Sequence, residues 1–193
     1  MKDNTLKHLG TSALYTVVTV VLFGLIYPLI MTGIAQVLFP FQANGSIVYV
    51  NGKPVGSAII GQLWTKPQYF QGRPSAAGKG YDPTSTGGTN YGPTSKKLID
   101  STKATIAALK KANPDATVPL PMDLVTSSAS GIDPDISPEG AYYQAPRIAK
   151  ARNIPVGQVN ALIARSIAGR TFGILGEPRV NVLQLNIALD AMH

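Results

Sequence analysis

The sequence has 193 residues, no cysteine, two histidines and a net charge of +7. Without cysteine there is neither a disulfide framework nor a thiolate metal site. With the histidines confined to His8 and His193, no Ser-His-Asp, Cys-His or ordinary zinc arrangement can assemble inside a domain.

Between His8 and Gly52 there is no Asp, Glu, Lys or Arg, and Leu14 to Leu38 is mostly Val, Leu, Ile, Tyr and Phe. As a helix these residues reach roughly 37 Å, more than the ~30 Å hydrocarbon core of a bilayer. The stretch is too long for the apolar part of a cleavable signal peptide, although Gly33-Ile34-Ala35 has the shape of a cleavage site. The reading is a cytoplasmic tail over residues 1–10, a transmembrane helix over 11–39 and an extracytoplasmic (periplasmic) domain over 40–193. Orientation follows from Lys2 and Lys7 ahead of the span, opposed only by Asp3, and from the lack of any basic residue after it until Lys53. Pro28 is expected to kink the helix. Gly24 and Gly33 allow another helix to approach closely. Phe39-Pro40-Phe41 ends the span with aromatic rings at interface depth.

Residues 40–193 hold 15 Lys plus Arg against 9 Asp plus Glu, a net +6. That balance points to membrane lipid headgroups or an acidic protein surface and not to nucleic acid, which a domain outside the cytoplasm does not meet. Lys96-Lys97 and Lys110-Lys111 read as solvated helix faces. Ser46 to Val50 alternates and ends at Asn51-Gly52, a hairpin signal, with Val55 to Ile60 as the returning strand. Residues 64–93 are dense in Pro and Gly yet carry Trp64, Tyr69, Phe70, Tyr81 and Tyr91, which predicts an ordered irregular loop. The periodicity predicts a helix from Pro93 to Ala112 with Ile99, Thr102, Ile106 and Leu109 on one face, stopped by Asn113-Pro114. Residues 119–134 read as irregular. Ser137-Pro138-Glu139 starts a helix that runs to Arg152 with a bend expected at Pro146. Pro155 opens another, with Val156, Val159 and Ile163 inward. Asn181 caps a last one, with Val182, Leu185, Leu189 and Met192 aligned. The fold class is a single N-terminal transmembrane helix plus one α+β, helix-rich domain.

Catalytic inventory is thin. Asp133-Pro134-Asp135 is the only close carboxylate pair, and in a proline turn such residues chiefly satisfy backbone donors. A membrane-anchored envelope enzyme using these carboxylates is the alternative to a binding or assembly role. No G-x-x-x-x-G-K-[ST] occurs, and Gly78-Lys79-Gly80 and Gly87-Gly88-Thr89 read as turns. Ser128-Ala129-Ser130-Gly131 is not a G-x-S-x-G elbow.

Many segments in order resemble one family. They include Gly24 and Tyr27-Pro28 in the span, Phe39 through Ser46, Gly56-Ser57, Ile60-Gly61-Gln62 and Phe70-Gln71-Gly72-Arg73-Pro74-Ser75. They continue with Asn113-Pro114, Asp123 through Ile136, Gln144-Ala145-Pro146-Arg147, Ala149 through Arg152, Gly176 through Val182, and Leu185-Asn186 through Asp190. The chain resembles the C subunit of the Kdp-type potassium-transporting P-type ATPase of bacteria (the KdpC family); Thr89 and Tyr91 depart from its usual loop.

The resemblance implies an inner-membrane complex with a channel-like potassium-binding subunit, an ATP-hydrolysing P-type subunit and a small single-span subunit. This chain would be the non-catalytic accessory subunit needed for assembly and activity. The family is described as catalytic chaperones that raise the ATP affinity of the hydrolysing subunit. ATP and potassium then belong to the complex, and no catalytic, cofactor or metal residue is assigned to this chain. Direct nucleotide binding by the domain would need the opposite orientation. Gly24 and Gly33, as small residues of the span, and Tyr27 and Pro28, which the resemblance adds, are the candidates for helix packing. The resemblance makes Asn44, Gly45, Ser46, Arg73, Gly87, Gly88 and Asn90 candidates for partner contact.

Overall fold

A computed structural model describes residues 2–192, with the side chains of Lys2 and Asp3 left out; Met1 and His193 lie outside the described residues. The chain divides into two units, Met1–Ile47 and Val48–His193.

The first unit is a helical rod: α1 (Lys2–Thr19), a π-helical stretch (Val20–Ile26) and α2 (Tyr27–Leu38). Within Asn4–Leu38 an 18-residue stretch reaches a mean hydropathy of 2.3, and no residue of this helix is buried. Its 35 residues reach roughly 52 Å at the α-helical rise. The helix begins at Lys2, ahead of the span expected over residues 11–39, because nothing in the first ten residues breaks it. Thr11 and Thr16 turn their hydroxyls back onto the carbonyls of Lys7 and Ser12 at 2.9 Å, so the polar start stays helical.

Pro28 is met by a widened helix. In an α-helix its ring would press on the carbonyl of Gly24 and its missing N–H would leave that carbonyl unpaired. The π-helical turns just upstream, where the N–H of Tyr27 donates to the carbonyl of Leu22, absorb the misfit. At Phe39 the helix stops (φ −136°) and the turn α3 (Pro40–Ala43) follows. Asn44 locks this end: its Nδ2 donates to Gln36 Oε1 at 3.1 Å and to the carbonyl of Pro40 at 2.7 Å.

The second unit opens with a hairpin of β1 (Ile47–Val50) and β2 (Lys53–Ser57). Asn51 and Gly52 have φ of +52° and +75°, the pair of left-handed residues that a type I′ turn requires. The returning strand therefore starts right after the turn and stops at Ser57; it does not run from Val55 to Ile60. Residues 58–95 contain no helix or strand, yet Phe70 and Ala77 inside them are fully buried. The expected ordered loop is present.

Helix α4 (Lys96–Ala112) starts three residues later than Pro93. Its inward stripe is Leu98, Thr102, Thr105, Ile106 and Leu109, and Ile99, expected inside, is 44% exposed. The stripe is rotated because its first turns lie over loops, with Pro74, Ala76 and Val125 opposite Leu98 and Thr105, while Leu109 near its end packs against the core. All five of its lysines are exposed.

A single 3₁₀ turn (Met122–Leu124) leads to the core. Here β3 (Asp135–Ile136), β5 (Arg179–Asn181) and β4 (Ile167–Ala168) form a three-stranded antiparallel sheet with β5 central. Val180 faces both Ile136 and Ile167 across the pairs. Around it pack α5 (Pro138–Arg152), α6 (Val156–Ser166) and α7 (Val182–Asp190). Their starts follow the capping signals: Ser137 Oγ accepts from Gly140 N at 2.9 Å, and Asn181 Oδ1 accepts from Gln184 N at 3.1 Å. Ile148, Val159, Ile163, Val180, Leu185 and Leu189 fill the centre. Val156, placed inward by periodicity, is exposed because it is the first residue of α6, ahead of the turn that reaches the core.

Candidate functional site

Gln144 sits among Ala141, Ala145 and Ile148 on the buried face of α5, and Asn186 among Val182, Leu185 and Leu189 on that of α7. Two buried amides on apolar faces need partners, and they find them in the irregular loop. Asn186 Oδ1 accepts from Phe70 N at 2.8 Å and its Nδ2 donates to Phe70 O at 3.0 Å. Gln144 Oε1 accepts from Gln71 N at 2.8 Å and its Nε2 donates to Gln71 O at 3.0 Å. Each amide thus imitates a neighbouring strand for one residue of the loop.

Two arginines extend the clamp. Arg147 donates to the carbonyls of Pro67 and Tyr69, to Gln144 Oε1 and to Asn113 Oδ1. Burial pulls its guanidinium down to about 10, so it stays charged at neutral pH. Arg152 donates to the carbonyl of Gln68 at 2.9 Å, pairs with Asp190 at 2.5 Å and lies 5.0 Å from the ring of Tyr69. Five successive carbonyls, from Pro67 to Gln71, are therefore each held by a side chain of α5 or α7.

A second cluster fixes the loop further on. Arg73 pairs with Asp133 at 2.9 Å. Its carbonyl accepts from the Tyr81 hydroxyl at 2.6 Å. Burial, reinforced by Asp133 and opposed by Arg73, pushes Tyr81 up to about 12, so it acts only as a neutral donor. Ser75 Oγ donates to the carbonyl of Gly131 at 2.5 Å. Gly87 N donates to Ser130 O at 3.0 Å, and Gly88 lies against the backbone of Ala129. Ser128 Oγ accepts from Gly131 N, so this run of small residues is a turn.

Of the candidate contact residues, Arg73, Gly87 and Gly88 come together on the segment 129–133. Asn44, Gly45 and Ser46 belong to the end of the rod, where Gly45 and Ser46 have φ of +78° and +51° and Ser46 is buried. Asn90 is exposed with φ +52°. The clamp residues Gln144, Arg147, Arg152, Asn186 and Asp190 lie in segments that carry the family resemblance but are not among the candidate contact residues. The signal available for two of them is the lone polar residue inside an apolar helical stripe.

The carboxylate pair is engaged in structure. Asp133 accepts from Asp135 N at 3.1 Å besides its ion pair with Arg73. Asp135 accepts from Asn181 Nδ2 at 3.2 Å and lies 3.2 Å from Arg179. Burial raises Asp135, with Asn181 and Arg179 opposing and Asp133 adding. Because its folded-state pKa lies above the unfolded one, the ionised carboxylate opposes folding at neutral pH, and this cost disappears as pH falls through the folded value. Asp135→Asn keeps the oxygen that faces Asn181 and removes the cost, at the loss of a half-exposed ion pair. Its unfolding free energy should stay within ~1 kcal/mol of the parent at pH 7 in denaturant titration. A loss of several kcal/mol would mean that the charge itself holds the turn.

The family model described as "K+-transporting ATPase, c chain" matches residues 9–191. The chain is 54% identical over 188 residues to the potassium-transporting ATPase KdpC subunit of Acidobacterium capsulatum, covering 97% of this chain and 100% of that protein. It is 53% identical over 185 residues to the subunit of the same name from Koribacter versatilis, covering 95% and 94%. With that of Myxococcus xanthus the identity is 55% over 175 residues, covering 90% and 83%.

Proposed function

The chain belongs to the KdpC family, the c chain of K+-transporting ATPases, and we propose that within the pump it is a non-catalytic, single-span subunit whose folded domain lies outside the cytoplasm. It is an accessory subunit of the Kdp complex. Its rod crosses the inner membrane beside the other subunits, a channel-like potassium-binding subunit, a P-type ATP-hydrolysing subunit and a small single-span subunit. Gly24 and Gly33 support helix packing: among the described residues a Cβ at Gly24 would meet the Val20 side chain at 3.9 Å and one at Gly33 nothing within 4 Å, which leaves room for the close approach of a partner helix. Pro28 and Tyr27 shape the same stretch. The domain sits over the outer mouth of the potassium-binding subunit and meets it through the loops carrying Asn44, Gly45, Ser46, Arg73, Gly87, Gly88 and Asn90. ATP and potassium bind to the partners, and any effect of this chain on ATP affinity travels through the assembled membrane helices.

The observation that carries this reading is the rod itself: a helix of 35 residues whose lysines, Lys2 and Lys7, lie at its start, with no further basic residue until Lys53. The positive-inside rule then puts the N-terminus in the cytoplasm. The absence of cysteine makes the test clean. Lys53→Cys introduces a single thiol in the domain, and a membrane-impermeant thiol reagent should label it in intact spheroplasts. Labelling only after lysis would put the domain on the ATP side and favour a nucleotide-binding regulator.

A further inference from the structure

Strands β4 and β5 are the base of a longer arm. Val180 at the base is fully buried, but all twelve residues from Ala168 to Arg179 are exposed. The arm is nonetheless held by its own bonds. Thr171 and Leu175 exchange both backbone hydrogen bonds, at 2.9 and 3.0 Å, and Gly173 N donates to Arg170 O at 3.0 Å. Arg170 pairs with Glu177 at 2.6 Å just below. The closed tip holds Phe172 at φ +55°, a conformation that bulky residues seldom adopt and that asparagine or glycine would take more easily. Phe172, Ile174 and Leu175 are 89%, 75% and 56% exposed. One exposed apolar side chain is ordinary. Three on an ordered projection, with phenylalanine at the strained position, form an unpartnered apolar surface.

We propose that the tip Phe172-Gly173-Ile174-Leu175 is an anchor that seats in an apolar pocket of another protein subunit of the pump. This rests on the subunit reading above. The choice of a protein over a lipid follows from charge. The arginines flanking the tip are already engaged, Arg170 with Glu177 and Arg179 with Asp135. A membrane-seeking tip keeps its basic side chains free for phosphates, whereas a neutral polar rim around an apolar centre is the usual make-up of a protein interface.

The test uses Thr171→Cys, an exposed position beside the tip that leaves Phe172 in place, in the full-length chain, as a single thiol of this chain in the purified complex and in the free chain, both in the same detergent. A maleimide should react with the free chain at an unhindered rate and with the complex at least about tenfold slower, the protection that a seated anchor gives. Phe172→Ser should melt like the parent, since the side chain is exposed, and be retained by the other subunits about 30-fold less tightly. Equal thiol reactivity in complex and free chain, or parental retention of Phe172→Ser, overturns the anchor. So does tip-dependent binding of the free chain to phosphatidylglycerol vesicles or tip-dependent dimerisation. The two readings fail separately. If the parent chain carries no other subunit through purification, the subunit reading falls. If it does and the thiol at position 171 stays reactive, only the anchor falls.

Discussion

Asn186→Ala should lower the unfolding free energy of the domain by ~2–4 kcal/mol. The side chain is fully buried and satisfies both the N–H and the carbonyl of Phe70. Alanine leaves two polar groups of a buried peptide without partners, each costing ~1–3 kcal/mol, and no water reaches them without opening the core. In a chain of this size the melting temperature should fall by roughly 5–15 °C. Asn186→Asp separates hydrogen bonding from packing. It keeps the shape and the acceptor, loses the donor and buries a charge, so at pH 7 it should be at least as damaging as alanine. As the pH falls the carboxyl protonates, regains a donor, and the deficit should narrow. Denaturant titrations of the detergent-solubilised chain at pH 7 and pH 5 read both effects. A loss for Asn186→Ala below ~0.5 kcal/mol would mean that the peptide of Phe70 is satisfied without this amide. The functional consequence runs through the loop: Arg73 follows two residues after the clamped segment, and Gly87 and Gly88 lie further along the same irregular stretch.

What the sequence made legible was local. The rod, the Asn51-Gly52 turn and the caps at Ser137 and Asn181 are each set by neighbours within a few residues, and their structure matches. The strands β3, β4 and β5 were invisible because two or three residues cannot show a period of two; they exist because Val180 pairs with partners 44 and 13 positions away in sequence, Ile136 and Ile167. The inward face of α4 was misread by a rotation, since the partners of Leu98 and Thr105 are loop residues whose positions no periodicity encodes. The clamp shows the same limit. Gln144 and Asn186 look like blemishes in apolar stripes until the loop 70–71, more than seventy residues earlier, lies across them. The resemblance marked these residues as a group without saying what they do; the hydrogen bonds supply the reason. The exposed tip at Phe172 had no sequence signal, since glycine-flanked apolar residues read equally well as buried.

Arg147 is the second position where a large effect is expected, and the informative substitution is lysine. The guanidinium reaches four acceptors in different directions: the carbonyls of Pro67 and Tyr69, Asn113 Oδ1 and Gln144 Oε1. An ammonium keeps the charge but is a compact donor that cannot span a fork of this width. If the charge mattered most, lysine would serve. Because the geometry joins three segments, Arg147→Lys should still cost ~2–3 kcal/mol and Arg147→Ala about 3–5 kcal/mol, the range for stripping charged donors from several part-buried acceptors. The link to Asn113, which caps α4 through its bond to Leu109 O, gives a sharper test. Asn113→Ala and Arg147→Lys share one hydrogen bond, so their costs should fall short of additivity by at least ~0.5 kcal/mol. Full additivity would show that α4 and the clamp are energetically separate. The shortfall would instead mean that the basic helix, the loop and the core of α5 respond as one body, which is what a subunit needs if contacts on its surface are to be held in a fixed geometry.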